Sequence, residues 1–382
     1  MAELKCCAVC GGEFYKPALL VFPDSPRSAQ GFLDTPNQAD EVVDLAIYQC
    51  RFCGLVQHNL SPVPYYRDVI RAVAFSKEMG EFRSKQLREW LEIAKLKDKR
   101  LLEIGCGKGE YIELLTKSGA EHVYGIENSQ SSVDDAKKKG MKVECGYLEG
   151  GFTNPWSEKF DGFAIFSFME HWPDPNECLR SLQNLLNEDA LGLVEVPNFD
   201  FIVKNGLYSE FTVDHIYYFD CQTLRALLEK NGFEILSIES IWHNYILSAQ
   251  VRKRRPHNPS IFIDKQQRIV EQLRRFTGHF NSNEVVVWGA GHQALAVISL
   301  AKLQVMVSHV VDSAPFKQGK YTPATRLLIK SPLTMLHDKP KAVVVMAAAY
   351  SDEVAQTIRR DYPLIEHIAI LREDHLENVK GA

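Results

Sequence analysis

The stretch Leu101-Leu102-Glu103-Ile104-Gly105-Cys106-Gly107-Lys108-Gly109-Glu110 places glycine at every second position after a short apolar run. Such a turn lets backbone pass close to a ligand in conformations a side chain would forbid. At the head of a helix it also presents N–H groups to whatever sits above it. The apolar run His122-Val123-Tyr124-Gly125-Ile126 then ends in Glu127. An acid at the tip of a second strand, roughly twenty residues beyond the first glycine, is placed to accept ribose hydroxyls. Together these residues read as a nucleoside site, with Glu103, Gly105, Gly107, Gly109, Glu127 and Asn128 as its first candidates.

Two further groups could do chemistry. Cys7-Ala8-Val9-Cys10-Gly11 and Cys50-Arg51-Phe52-Cys53-Gly54 are paired Cys-x-x-Cys knuckles, the donor set of a closed, structural zinc site. Cys7, Cys10, Cys50 and Cys53 are the candidate ligands; Cys6 lacks the two-residue spacing to Cys10. Glu210-Phe211-Thr212-Val213-Asp214-His215-Ile216-Tyr217-Tyr218-Phe219 sets acids, a histidine and aromatics side by side. A histidine next to a carboxylate has the composition of a general base, and a core histidine capped by Asp214 has the same composition.

The elements that must position these residues alternate as a parallel α/β sheet does. Helical spacing of apolar residues runs from Pro64 to Lys95, where Tyr66, Arg71 and Ser76 are within reach of a ligand. The first core strand precedes the glycine turn, and the second ends at Glu127. A helix over Ser131–Lys139 leads to a third strand, Met141–Cys145, and the turn Gly146-Tyr147. A fourth strand, Phe160–Phe166, runs into Ser167-Phe168-Met169-Glu170-His171-Trp172. A fifth, Leu191–Val196, precedes the Asp214-His215 segment. Phe22–Glu41 reads as loop, and Arg252-Lys253-Arg254-Arg255 as a solvated strand end. A third region opens near Ser260, with a helix over Ile263–Phe280. Its strand Glu284–Trp288, turn Gly289-Ala290-Gly291-His292-Gln293-Ala294, and strand Val305–Val311 ending in Asp312 form a dinucleotide-type fingerprint.

The Glu-x-Gly-x-Gly-x-Gly turn with Glu127 resembles the class I S-adenosylmethionine-dependent methyltransferases. That resemblance implies a methyl donor bound by the first candidates, with Gly146, Tyr147 and Phe168 bordering its adenosyl end. The order of cysteine knuckles, methyltransferase core and second Rossmann-like region resembles the sugar C-methyltransferases. Cys50 to Gln57, the glycine turn, Asp214-His215 and Val311 to Tyr321 carry that likeness. It implies a Rossmann-like class I methyltransferase core flanked by a small zinc-binding domain and a second Rossmann-like α/β domain, over 1–63, 64–256 and 257–382. It also implies a 4-keto nucleotide-sugar substrate, deprotonation beside the ketone, and attack on the sulfonium methyl. His215 is the expected base, oriented by Asp214 or Glu210. The family's Tyr-x-Glu-His is Thr212-Val213-Asp214-His215 here, so Tyr217 or Tyr218 is asked to stand in for the missing phenol. O-methylation, a non-sugar metabolite acceptor, a nucleotide-dependent oxidoreductase and an inactive zinc scaffold are the competing readings.

Composition narrows the remaining classes. A formal charge of -5 over 382 residues gives no cationic surface for nucleic acid. No apolar run reaches membrane-spanning length, and the start lacks a signal peptide's apolar stretch, so a cytoplasmic protein is expected. Nine cysteines there point to metal ligation or buried thiols more than to disulfides. The oligomeric state is open, and a monomer is compatible with the sequence.

Overall fold

Apolar runs bounded by glycine turns and capped helices build two α/β units. The computed structural model of the chain describes residues 6–28, 32–38, 41–63 and 76–380. The division falls after Arg255, and each unit is taken by itself.

The first unit opens with strands β1 (Leu20–Pro26), β2 (Val42–Gln49) and β3 (Val56–His58). Helix α1 (Lys77–Ile93) follows, its first turn capped by Ser76, whose hydroxyl accepts from Met79 N. The core then runs β4 (Arg100–Ile104), α2 (Glu110–Lys117), β5 (His122–Glu127), α3 (Gln130–Lys138), β6 (Lys142–Cys145) and β7 (Phe160–Phe166). It continues through α4 (Pro175–Leu185), β8 (Leu186–Pro197), α5 (Phe199–Asn205), β9 (Tyr217–Tyr218), α6 (Cys221–Lys230), β10 (Phe233–Ile241) and β11 (Ile246–Lys253).

The main sheet has the order β10-β11-β8-β7-β4-β5-β6. β11 runs antiparallel to both of its neighbours, while β8, β7, β4, β5 and β6 pair in parallel. This is the mixed α/β class I methyltransferase sheet. Between β4 and β7 the chain connections leave in opposite directions, and ligands of open α/β sheets bind outside the carboxyl ends of strands at such a point. The core is an apolar cluster around Phe160, Phe163, Leu179 and Leu224 on one face, with a second around Leu101, Leu115, Val133 and Phe166.

A smaller sheet, β1-β2-β3-β9, carries the cysteine segment. β9 comes from the chain after the core's fifth strand and pairs Tyr217 with Gln57 and Tyr218 with Val56. The knuckle region is thereby hydrogen-bonded into the larger unit. Asn176 strengthens the join by donating its amide to Ala8 O at 2.9 Å and Val9 O at 3.1 Å.

The second unit comprises α7 (Ser260–Thr277), β12 (Val285–Trp288), α8 (His292–Leu300), β13 (His309–Val311), β14 (Ile329–Lys330), α9 (Met335–Asp338), β15 (Ala342–Val345), α10 (Ser351–Asp361), β16 (His367–Leu371) and β17 (Leu376–Lys380). Its sheet order is β14-β13-β12-β15-β16-β17, parallel except for β17.

Several sequence expectations change here. The stretch read as loop from Phe22 contains most of β1, because Leu20 to Phe22 and Ser25 to Pro26 pair with β2 across an irregularity. The strand expected over Val305–Val311 is confined to His309–Val311, since Leu303–Val305 closes a 3-10 turn. Apolar content alone does not separate these states. Tyr66 and Arg71 lie outside the described residues. No helix among the described residues is long and apolar enough to cross a membrane.

Candidate functional site

β4 and β5 deliver the glycine turn and Glu127 to the carboxyl edge of the main sheet. Both Gly105 and Glu127 line a cavity there, with Asn128, Gly146, Tyr147 and Phe168. All six were candidates from sequence. Ile104, Ile126, Leu148 and Trp172 complete the wall and were not. Two of these end the very strands that were recognised, so strand-end position was the available signal. Glu103, Gly107 and Gly109 do not line the cavity: Glu103 is wholly buried beneath it, and Gly109, at φ +87°, N-caps α2.

The glycine amides act differently from the expectation. Gly105 N–H and Cys106 N–H both donate to Ile126 O, at 2.9 and 3.2 Å, and Gly109 N–H donates to Cys106 O at 2.9 Å. Gly107 N–H donates to Glu127 Oε2 at 2.9 Å. The turn's glycine donors are therefore spent on holding β4, β5 and Glu127 in place. What the missing side chain at Gly105 allows is close packing of Phe168, a wall residue, on the turn. Gly105 has φ +69°, and a Cβ there would fall 2.4 Å from the Phe168 ring.

Glu127 is 8% exposed and accepts a second bond, from Ser129 N–H to Oε1, at 2.9 Å. An ionised carboxylate has about four acceptor positions. Two fix its orientation, which leaves the others for ribose hydroxyls. Phe168 and Tyr147 stand edge to face at 6.3 Å, and Phe168 and Trp172 at 6.1 Å, an apolar surround suited to an adenine ring. These residues fit an adenosyl ligand.

The turn Phe168–Trp172 carries the second half of the site. Its Glu170 and His171 meet His215, ligand-capable atoms of all three lying within 4.8 Å of one another. His171 and His215 stack edge to face at 4.9 Å. His171 Nδ1–H donates to Asp214 O at 2.8 Å, and its Nε2 lies 4.0 Å from Glu170 Oε1. The Asp214 contribution at this point is thus its main-chain carbonyl. Glu210 faces elsewhere, accepting the Tyr245 hydroxyl at 2.7 Å.

Burial pulls the His215 pKa down to about 4, so at neutral pH the ring is the free base. His58, which sequence reading passed over, is likewise lowered to about 4 by burial. Its Nε2–H donates to Val213 O at 3.1 Å and its Nδ1 accepts from Leu60 N–H at 3.2 Å. Both ring nitrogens are satisfied only in the neutral form.

Tyr217 departs from its expected role. Its phenol is buried and donates to Pro173 O at 3.0 Å, because pairing of β9 with β3 turns it away from the reaction side. Burial raises its pKa well above the usual phenol value. The Tyr218 hydroxyl is also committed, to Thr212 O at 3.3 Å. Neither phenol replaces the one missing at Thr212.

Desolvation of buried His58 and half-buried His215 fixes an acid sensitivity. Between pH 6.5 and 4 the unfolded chain binds protons at these positions that the native state does not, so stability is full above about pH 6.5 and declines as pH falls towards 4. For His58 alone the loss approaches about 3 kcal/mol. Urea titrations at a series of pH values should show this decline, and His58→Gln should flatten it. A slope unchanged by the substitution would contradict the burial argument.

A methyltransferase-domain model matches residues 79–238, and a C-methyltransferase C-terminal domain model matches residues 255–362. C-methyltransferase NovU of Streptomyces niveus is 22% identical over 91% of this chain and 90% of its own. A ubiquinone biosynthesis O-methyltransferase of Neisseria meningitidis is 30% identical over 26% of this chain and 44% of its own. Among solved structures, an S-adenosylmethionine-dependent methyltransferase from Clostridium acetobutylicum aligns with TM-score 0.38 at 15% identity, over 50% of this chain and 96% of that one.

The chain is an S-adenosylmethionine-dependent methyltransferase. In pairing a stretch that matches methyltransferase domains with one that matches the C-methyltransferase C-terminal domain, and in its similarity to NovU along nearly the whole length, the chain resembles the C-methyltransferases.

Proposed function

We propose that the chain methylates a carbon of a nucleotide-linked sugar or related carbohydrate precursor in the cytoplasm, with His215 as general base. The observation that carries this reading is the meeting of His215 with Glu170 and His171 on the turn whose Phe168 and Trp172 wall the donor cavity. S-adenosylmethionine, when bound, supplies an electrophilic methyl group. Glu127 holds its ribose, the cavity wall excludes water from its adenosyl part, and Gly105 lets Phe168 close on the turn as part of that wall.

His215 then removes the proton from the carbon next to the acceptor's ketone. A ring with a pKa near 4 is fully available as a base but reluctant to hold the proton. The buried Glu170 carboxylate is placed to stabilise the imidazolium as it forms, as a carboxylate does in other His-centred catalysis. Asp214 contributes by holding His171 through its main-chain oxygen. Tyr217 has no part in this step.

The nucleotide-sugar assignment rests on the likeness of Val311 to Tyr321 and of the Cys50 knuckle to the sugar C-methyltransferases. Its test is to offer isotopically labelled methyl donor with a panel of 4-keto nucleotide-sugars and to find the product by mass. Transfer only to a non-sugar ketone would replace the acceptor and keep the mechanism.

We also propose that Cys7, Cys10, Cys50 and Cys53 hold one structural zinc. Their sulfurs already converge, Cys10 to Cys50 at 3.4 Å and Cys7 to Cys53 at 3.6 Å. Tetrahedral zinc–thiolate bonds of about 2.3 Å set sulfurs about 3.8 Å apart. Gly12 N–H and Phe52 N–H already point at Cys10 Sγ and Cys50 Sγ, at 3.3 and 3.4 Å, as amides that stabilise bound thiolates do. Metal analysis should give one zinc per chain, and Cys50→Ser should lose it together with soluble yield. Folded, zinc-free wild type would contradict this.

A further inference from the structure

The second unit carries the glycine turn and acid of a dinucleotide fingerprint, but Lys317 already occupies the acid that would take a dinucleotide's ribose. Asp312 Oδ2 accepts from Ala290 N–H at 2.8 Å and from Lys317 Nζ at 2.9 Å, while Oδ1 accepts from Ala314 N–H at 2.9 Å. The acid is engaged on both oxygens, one of them by an ammonium group.

Open space lies on the other side of β12. β12 connects through α8 to β13, whereas β15, its opposite neighbour, connects through α10 to β16. The junction of β12 and β15 is therefore the switch point of this sheet. A cleft of about 700 Å³ stands there, outside the carboxyl ends of β12, β15 and β16, within the size range of small-molecule sites. The ends of β12 and β15 meet closely at Gly289, where a Cβ would sit 2.4 Å from the main-chain oxygen of Met346, one of the cleft's lining residues.

The wall chemistry narrows the ligand. Ala294, Met346, Ala348, Ala349 and Leu371 supply thin apolar walls, and Gln293, Glu373 and Asp374 supply amide and carboxylate groups at the rim. The one arginine there is already neutralised: Arg372 donates to Asp352 at 2.6 and 3.0 Å and to Glu377 at 2.5 Å. His375, also in the lining, bonds Asp374 Oδ1 through its Nδ1 at 2.7 Å. Glu373 and the second Asp374 oxygen thus face the cleft with no cation bonded to them among the described residues, which disfavours a phosphate or other anion. Flat apolar walls take an aromatic ring, and rim carboxylates take hydroxyl donors.

We propose that this cleft binds an uncharged nucleoside, its base against the alanine, methionine and leucine wall and its sugar hydroxyls on Glu373, Gln293 and the Asp374 oxygen that His375 leaves open. The site belongs to the second unit and is separate from the donor cavity.

The test is calorimetry on full-length protein with the donor cavity saturated by S-adenosylhomocysteine, titrated with adenosine, guanosine, cytidine, uridine and thymidine, and separately with NAD. At least one nucleoside should bind. Ala349→Trp, which fills the cleft from an exposed position, and Glu373→Ala/Asp374→Ala should each weaken that binding at least about tenfold, with S-adenosylhomocysteine affinity unchanged as the readout of intact folding. Heat from none of the nucleosides, binding indifferent to both variants, or a preference for NAD would overturn the proposal.

Discussion

His215→Ala should lose about 10²- to 10⁴-fold in turnover, the usual contribution of a general base, while keeping its affinity for S-adenosylmethionine. The separation follows from position. The donor cavity is walled by Gly105, Glu127, Tyr147 and Phe168, and His215 is absent from that wall. His215 instead meets Glu170 and His171 of the Phe168–Trp172 turn, next to that wall. The pH profile gives a second signature. With its pKa lowered to about 4, the base is unprotonated through the neutral range, so kcat/KM should stay level down to about pH 5 and fall only below that. An acid limb centred near 6.5 would mean a solvated histidine, and unchanged turnover in the alanine variant would remove His215 from the reaction.

Arg83→Ala should destabilise the first unit by about 3–5 kcal/mol, the effect of removing one partner from a buried ion pair. Arg83 on α1 is paired with Glu195 on β8, and the two side chains are 2% and 0% exposed. Gln86 Nε2 and Ser248 Oγ also bond Glu195 Oε1, at 2.5 and 3.0 Å. The guanidinium stands 5.5 Å from the Tyr111 ring centre and 5.7 Å from that of Phe166. Truncating the arginine would leave the Glu195 charge buried without its cation. A double replacement, Arg83→Met with Glu195→Leu, removes both charges and should recover much of the loss. Chemical denaturation of the three forms checks this. A double variant no better than the single one would show that packing, and not the stranded charge, dominates.

These two predictions differ in how far the sequence alone leads to them. The glycine turn, Glu127 and the strand alternation around them are local patterns, and local patterns read directly onto the sheet edge where the donor cavity lies. The knuckle cysteines, too, announced themselves by spacing. His215 was singled out by composition, but the groups that define its surroundings come from the turn after β7, more than forty residues earlier.

What was hidden depends on pairing across long separations. Arg83 sits among charged residues at helical spacing, and nothing nearby signals that Glu195 waits beneath it. Tyr217 looked available for chemistry until β9 paired with β3 and committed its phenol to Pro173 O. The turn glycines were expected to offer N–H groups outward, yet Ile126 O, Cys106 O and Glu127 take them. Asp312 matched a ribose acid in spacing, and Lys317, five residues on, occupies it. For Tyr217, the turn glycines and Asp312, a partner supplied by the fold takes up the group that the sequence offered.

The most direct test of the central claim is calorimetric titration of the intact protein with S-adenosylmethionine and S-adenosylhomocysteine, alongside Glu127→Ala. Wild type should bind both with one site in the donor cavity. The variant loses the ribose acceptor and strands the Gly107 and Ser129 N–H groups, each worth about 1–3 kcal/mol, so its affinity should fall at least about tenfold. Folded wild-type protein that gives no heat with either compound, or a variant that binds them as well as wild type, would contradict the account.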